Sequence, residues 1–488
     1  MFKNHLREIL SLEYEKRILV IDEERIIDRY DYRPICREKG FKTVPFRNHI
    51  EFRFKDETEL KADSSSILIY AKGDPYIPYD LLQRFYVVKL TWSRLFPSLD
   101  RSFIQRYRNV ELPLFHALSD IIAKGYRIRE EGLSGLGEEA LYIPDVAVKG
   151  LEELVEELKL ETGKQGLRPI DWLRIAAKKA RIHYLAARAG LDFDTAFVDE
   201  LFKKFVMEGY NRLSTESNKA SPMLVNRIPG FINGKHEKVA LIVLDGMSLF
   251  DFQVIAEELT GIDYEVFQTF AMIPTTTAIS RQSMLAGKFP VELEKPFTLS
   301  REEKQFIECG EEAGYRKEQI QYEKGFNFTL KPITKYLAVI INTIDDLVHS
   351  QLQGREGMYR DVKHFAASGE LQTMITSLSK ESFAVYLTAD HGNTLCTGIG
   401  KIRGMGIEME SKAKRVLIMK DFAEVKDIKE KYRLTEYPGY YLDKSYKYLL
   451  SATGESLDKE GQKVLTHGGI SIDEVIVPFI KVKAVHYD

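Results

Sequence analysis

A chain of 488 residues, 44% hydrophobic and 29% charged, is long enough for two to four domains with sizeable cores, while its longest apolar runs of about six residues fall far short of the ~20 that span a bilayer. A net charge of −3 gives no overall attraction to nucleic acid, so a polyanion has to be held by a local patch. Three scattered cysteines, Cys36, Cys309 and Cys396, exclude a disulfide framework, and the charged opening MFKNHLREILSLEYEKR lacks a secretory apolar stretch; a cytoplasmic protein with no membrane contact is expected.

Residues 1–120 carry the strand-like runs RILVID (17–22), SSILIYAKGD (65–74) and FYVVKL (85–90), separated by polar segments with helical character. A small α/β domain is predicted, receiver-like or Rossmann-like. Its ILVIDEE resembles the acidic pocket of response-regulator receiver domains. The later phospho-acceptor candidate, Asp74, follows AKG in a Gly/Pro turn, which favours a degenerate scaffold over a working receiver.

Residues 121–235 turn helical. LEELVEELKLE is amphipathic, and PIDWLRIAAKKARIHYLAARAGL opens on proline and repeats apolar residues at helical spacing. Arg174, Lys178, Lys179, Arg181 and Arg188 decorate the second helix, either as a solvated face or as a stripe for phosphates. The stretch NRLSTESNKASPMLVNRIPGFINGKHEK (211–238) reads as an exposed linker.

A third domain, 236–488, opens on the buried-strand run VALIVLDG, which places Asp245 after a strand. LAVIINTIDDLVH places Asp345 and His349 after another, and FAVYLTADHGN places Asp390 and His391 after a third. Ligands of open α/β sheets collect outside the carboxyl ends of the strands, so these groups can converge although distant in sequence. In IPTTTAISRQSMLAGKFP, a proline and a threonine cluster precede a helix whose N-terminus suits a phosphate. Thr277 opens that helix and Arg281 lies one turn on, where it could clamp a phosphate oxygen. Together with His467, the set Asp245, Thr277, Asp345, His349, Asp390 and His391 has the composition of two adjacent metal sites and one hydroxyl nucleophile. Mixed carboxylate and imidazole ligands suit zinc or manganese better than magnesium or calcium. Each residue also has a plain alternative. Thr275, Thr276 and Thr277 are N-cap candidates, Asp345 and His349 a helical i,i+4 pair, Asp390 to Asn393 a turn, and His467 a loop residue.

The stretches VALIVLDGMS, MIPTTTAISRQSMLAGKFP, NTIDDLVH, YLTADHGN and LTHGGISIDEVIVPFI resemble the PglZ domain of the alkaline phosphatase superfamily over about 236–480. The resemblance implies an α/β fold with an alkaline-phosphatase-like mixed sheet sandwiched by helices, preceded by the small α/β domain and the helical region. It further implies one divalent metal ion on Asp245, Thr277, Asp390 and His391 and a second on Asp345, His349 and His467, with zinc favoured and manganese as the other choice. Thr277 would be the nucleophile and Thr276 its rival. TADHGN is also similar to cofactor-independent phosphomutases, but there the first metal-binding Asp lies near the N-terminus, whereas Asp245 follows two domains. The implied function is a two-metal phosphodiesterase or nuclease acting on a nucleotide or nucleic-acid phosphodiester, in BREX-type phage exclusion and alongside other defence-system subunits. Alternatives are a phosphomonoesterase with the same metals, or a scaffold subunit. The candidate substrate loops, 288–335 and 393–415, carry no recognisable code.

Overall fold

A computed structural model describes residues 2–57, 65–124, 137–402, 413–420 and 425–483. Part of the expected middle region (125–136) and part of the second substrate loop (403–412) lie outside the described residues. Where segments 1–120, 121–235 and 236–488 are expected, internal contacts divide the chain into two compact units, 1–157 and 158–488, the boundary falling within the helix Pro144–Thr162.

The first unit is built on four parallel strands, β1 (Arg17–Asp22), β2 (Phe41–Phe46), β3 (Ser66–Lys72) and β4 (Tyr86–Leu90), in the order β2-β3-β1-β4. The α/β expectation holds, but the order does not match a receiver, with β1 between β2 and β3, or a Rossmann fold, with β1 between β2 and β4. The acidic run after β1 is also committed. Asp22 is fully buried and accepts the Ile26 and Ile27 N–H groups at 2.7 and 2.9 Å, while Glu23 pairs with Lys89 at 3.0 Å and Glu24 with Arg101 at 3.1 Å. Strand order is decided by non-local pairing, which short apolar runs do not encode.

One histidine of this unit supplies a pH prediction. His116, in the helix Leu112–Ala123, is buried beside the His5 ring with 4.9 Å between centroids. Burial pushes its imidazole down to about 4 against the pull of Asp120. The folded unit therefore binds fewer protons than the unfolded chain between the ordinary value of 6.5 and about 4, and its stability declines as pH falls through that window. A ring C–H titration by NMR is expected to show a His116 midpoint near 4; a midpoint at 6.5 would remove the effect.

The two expected helices form as Pro144–Thr162, which spans the boundary between the units, and Pro169–Arg188, and a helix not anticipated from the sequence, Ala196–Gly209, follows in the second unit. Two expectations for this region are overturned. Lys179 is only 1% exposed, so it leaves the basic stripe, whose Arg174 and Lys178 pair with Asp171 and Glu161. The stretch 211–238 is not an exposed linker either: Ser221, Met223, Leu224, Val225, Asn226, Ile228 and Ile232 are buried, and Met223 O accepts the Phe270 N–H at 2.9 Å. Its polar average concealed a short apolar face.

The remaining strands are β5 (Val239–Leu244), β6 (Tyr264–Phe270), β7 (Ile320–Lys324), β8 (Tyr336–Ile341), β9 (Ala384–Thr388), β10 (Thr394–Gly398), β11 (Val416–Lys420), β12 (Thr435–Tyr437), β13 (Tyr446–Leu450), β14 (Glu455–Ser456), β15 (Lys463–Thr466) and β16 (Ile476–Val482). Six of them form a mixed sheet, β6-β16-β9-β5-β8-β7, in which β9, β5, β8 and β7 run parallel and β16 antiparallel to β6 and β9. Every residue of β5 and β8 is buried, as continuous apolar runs in a covered parallel sheet require. Two three-stranded sheets, β14-β10-β15 and β11-β13-β12, complete the unit. Helices Pro169–Arg188, Leu249–Ala256 and Gly354–Ala367 pack on one another, and Thr277–Ala286 packs on Glu302–Glu312. No helix among the described residues is long and apolar enough to cross a membrane.

Candidate metal centre

Strands β9, β5 and β8 are neighbours and parallel, so their carboxyl ends open at one edge of the sheet. Asp245 is the first residue after β5, and Asp390 and His391 follow β9 across Ala389. Asp345 and His349 lie one turn apart on the helix Thr343–Ser350 that leaves β8, and His467 directly follows β15. Gly246, directly after Asp245, holds φ +75°, a left-handed backbone that favours glycine and turns the chain beside Asp345. All seven residues proposed from the sequence come together.

Two groups of ligand atoms result. In one, Asp245, Asp390 and His391 offer atoms within 4.8 Å of one another; His391 Nε2 lies 3.5 Å from Asp245 Oδ1, 3.7 Å from Asp390 Oδ2 and 3.1 Å from Thr277 Oγ1. In the other, Asp345 Oδ1 is 3.2 Å from His349 Nε2 and 3.4 Å from His467 Nε2, and those two nitrogens are 3.1 Å apart. The His391 and His467 rings stack at 4.0 Å, which makes the two groups adjacent.

The threonine cluster divides its labour. Thr276 caps the helix by accepting the Ile279 N–H, and the Thr275 hydroxyl bonds the Gly468 N–H and the Gly469 carbonyl. The Thr277 hydroxyl is left to face His391. Both buried histidines are fixed in one tautomer, His391 Nδ1 donating to Gly392 O at 3.0 Å and His467 Nδ1 to Thr275 O at 2.9 Å, so each turns an Nε2 lone pair inward.

Arg281 is not where a phosphate clamp needs it. It is 2% exposed; its Nη1 donates to Asp245 Oδ2 at 2.6 Å and its Nε to Glu302 Oε2 at 2.6 Å. The guanidinium lies between two buried carboxylates and orients the first of them. Sequence reasoning missed Glu302, which is 21 residues from its partner and has no local signal. It also passed over Asp251 and Asn393: Asn393 Nδ2 donates to Gly246 O and Asp251 Oδ2 and ties the loops after β9 and β5 together. Ser248-x-x-Asp251 is a capping box, a spacing that was readable.

The electrostatics ask for a cation. Burial, then the neighbouring Asp390 carboxylate, push the Asp245 carboxyl well above the ordinary carboxylate range, against Arg281. Burial also raises Asp345, but the hydrogen bond from His349 and the His467 ring outweigh it and hold that carboxyl below its usual value. Burial and the adjacent His391 hold His467 well below the normal imidazole value. Asp245 Oδ1 and Asp390 Oδ2 are buried without a hydrogen-bond partner among the described residues, a costly state unless a positive ion meets them. Three converging carboxylates, three imidazoles and a hydroxyl are a donor set that fits divalent metal ions.

Residues 226–482 match the family model described as the BREX system PglZ alkaline phosphatase-like domain. No curated protein matches the chain. Similar solved structures include a murine ectonucleotide pyrophosphatase/phosphodiesterase 5 in complex with AMP (11% identity, 50% of this chain and 87% of that one, TM-score 0.38). Another is the phosphonoacetate hydrolase of Sinorhizobium meliloti 1021 with phosphonoacetate (10% identity, 51% and 91%, TM-score 0.32).

Proposed function

Because the chain belongs to the PglZ family of alkaline phosphatase-like domains, we propose that it is a two-metal phosphodiesterase with Thr277 as nucleophile, acting on nucleotide or nucleic-acid phosphodiesters in a BREX-type defence system in the cytoplasm. The observation that carries the reading is the Thr277 hydroxyl, released from helix capping and 3.1 Å from His391 Nε2 amid unsatisfied carboxylates. Asp245, Thr277, Asp390 and His391 would hold one ion, and Asp345, His349 and His467 the other. When bound, the ions would lower the pKa of the hydroxyl and offset charge developing on the phosphoryl oxygens.

The residues themselves do the rest. Thr277 Oγ1 attacks phosphorus in line as its proton leaves to solvent, and one ester oxygen departs as an alcohol, taking up a proton from solvent, so that Thr277 carries the remaining phosphate monoester group in diester linkage. Water then cleaves the P–O bond to Thr277, restoring the hydroxyl. The Thr277–Ala286 helix directs the positive end of its dipole at the attacking atom, and the Thr276 cap holds its first turn in place. Arg281 acts on Asp245, as a positioning residue.

Rates on mono- and bis(p-nitrophenyl) phosphate with added zinc or manganese test the proposal. Hydrolysis that requires metal and favours the diester is expected. Preference for the monoester would make the protein a phosphatase, and no turnover of either ester at full metal occupancy would leave a scaffold role.

A further inference from the structure

The segment after His467, ISIDEV, contributes nothing to the ligand set, yet its two acids are the hub of the loops that carry the ligands. Glu474 is fully buried. Its Oε1 accepts the Gly469 N–H at 2.8 Å and faces the Thr275 hydroxyl at 3.4 Å; its Oε2 accepts the Ser471 N–H at 3.0 Å and the Arg415 guanidinium. Thr275 is the residue whose carbonyl fixes His467 Nδ1. The main chain of the same segment holds the other histidine. Glu474 O accepts the Gly392 N–H at 2.9 Å, and Asp473 O packs so closely on Gly392 that a Cβ there would sit at 2.1 Å. Gly392 O in turn fixes His391 Nδ1.

Asp473 is anchored from elsewhere in the unit. Its Oδ2 accepts Lys179 Nζ at 2.9 Å and Arg355 Nη2 at 3.2 Å. Lys179, on the helix Pro169–Arg188, also binds Asp199 Oδ2 at 2.6 Å, and Asp199 Oδ1 accepts the Ile472 N–H at 3.0 Å. Three cations, Lys179, Arg355 and Arg415, thus face three anions, Asp199, Asp473 and Glu474; Arg355 and Asp473 are partly buried and the other four buried. Ion pairs of this kind add little net stability over apolar packing, whereas their directional hydrogen bonds restrict geometry.

We propose that Asp473 and Glu474 are positioning residues that fix His391 and His467 relative to each other, and that Lys179 is the anchor through which the helical segment takes part in the metal centre. The inference rests on reading the seven residues as metal ligands. It makes the helix Pro169–Arg188 part of the reacting unit, where removing one ammonium loosens a site it does not touch.

The test loads the full chain with cobalt(II) and records its visible spectrum, its dissociation constant against a competing chelator, and the urea midpoint of the metal-free protein. Glu474→Gln, which keeps the side-chain shape, and Lys179→Met are expected to weaken cobalt binding by about 10- to 100-fold and to shift the spectrum, with Lys179→Arg restoring most of both. Leu378→Ala, a buried apolar truncation on the helix Glu370–Lys380, serves as control: it lowers the urea midpoint but leaves spectrum and affinity unchanged. Unaltered cobalt affinity and spectrum in both Glu474→Gln and Lys179→Met would overturn the positioning role while the metal reading stands. Cobalt binding that is absent in the unmodified chain, or indifferent to Asp390→Asn, would take both down.

Discussion

Thr277→Ala is expected to slow phosphodiester hydrolysis by on the order of 10⁴-fold while the chain stays folded and still binds metal. The separation follows from the division of labour in the cluster. Thr276 holds the cap, so the hydroxyl of Thr277 gives the helix nothing that alanine lacks, and alanine is the better helix former. Asp245, Asp390 and His391 remain as ligands, so metal content per chain should change little. Thr277→Ser keeps a hydroxyl at the same place and should retain a substantial part of the rate. Acid quenching during turnover of bis(p-nitrophenyl) phosphate, followed by peptide mass spectrometry, should find a p-nitrophenyl phosphoryl group on Thr277. A Thr277→Ala rate within tenfold of the unmodified enzyme would dismiss it as nucleophile. Thr276 would be a poor replacement, since its oxygen already accepts the Ile279 N–H.

The second large effect concerns Arg281. Arg281→Met removes the partner of two buried carboxylates, Asp245 and Glu302, and leaves their charge uncompensated. A loss of about 3–5 kcal/mol is expected for breaking such a buried pair, read as a lowered urea midpoint of the metal-free protein. Added zinc should recover part of the loss, because a cation bound by Asp245 replaces one of the two interactions, whereas Glu302 stays unpaired apart from its contacts with Tyr322 and Lys324. Arg281→Lys keeps the charge but cannot bridge both acids with the same fork, so an intermediate loss follows. The sequence-based role as a phosphate clamp predicts the opposite pattern, with unchanged stability and a raised KM. That result would restore the clamp.

How much of this was readable in advance varies from residue to residue. The runs VALIVL and YLAVII are apolar throughout and AVYLT up to its last residue, and their shortness favours a strand covered on both faces over a buried helix; the acids and histidines just beyond them could then be placed at strand ends. The threonine cluster was legible as a helix start but not as three separate roles, because capping and nucleophilic attack call for the same hydroxyl. The basic character of PIDWLRIAAKKAR was equally plain, yet nothing local distinguishes Lys179, turned inward to Asp199 and Asp473, from Lys178, which stays at the surface with Glu161.

Local composition and periodicity were therefore sufficient for the strands β1, β3, β4, β5, β8 and β9 and for the starts of the helices Pro169–Arg188 and Thr277–Ala286, since these depend on side chains a few positions apart. Tertiary structure alone decided the strand order of the first unit, the burial of the apolar face within 221–232, the attachment of Arg281 to Asp245 and Glu302, and the anchoring of Asp473 by Lys179 across 294 residues. Each of these turns on which distant partner satisfies a buried charge or covers an apolar face. That choice is made only when the chain closes on itself and water is expelled.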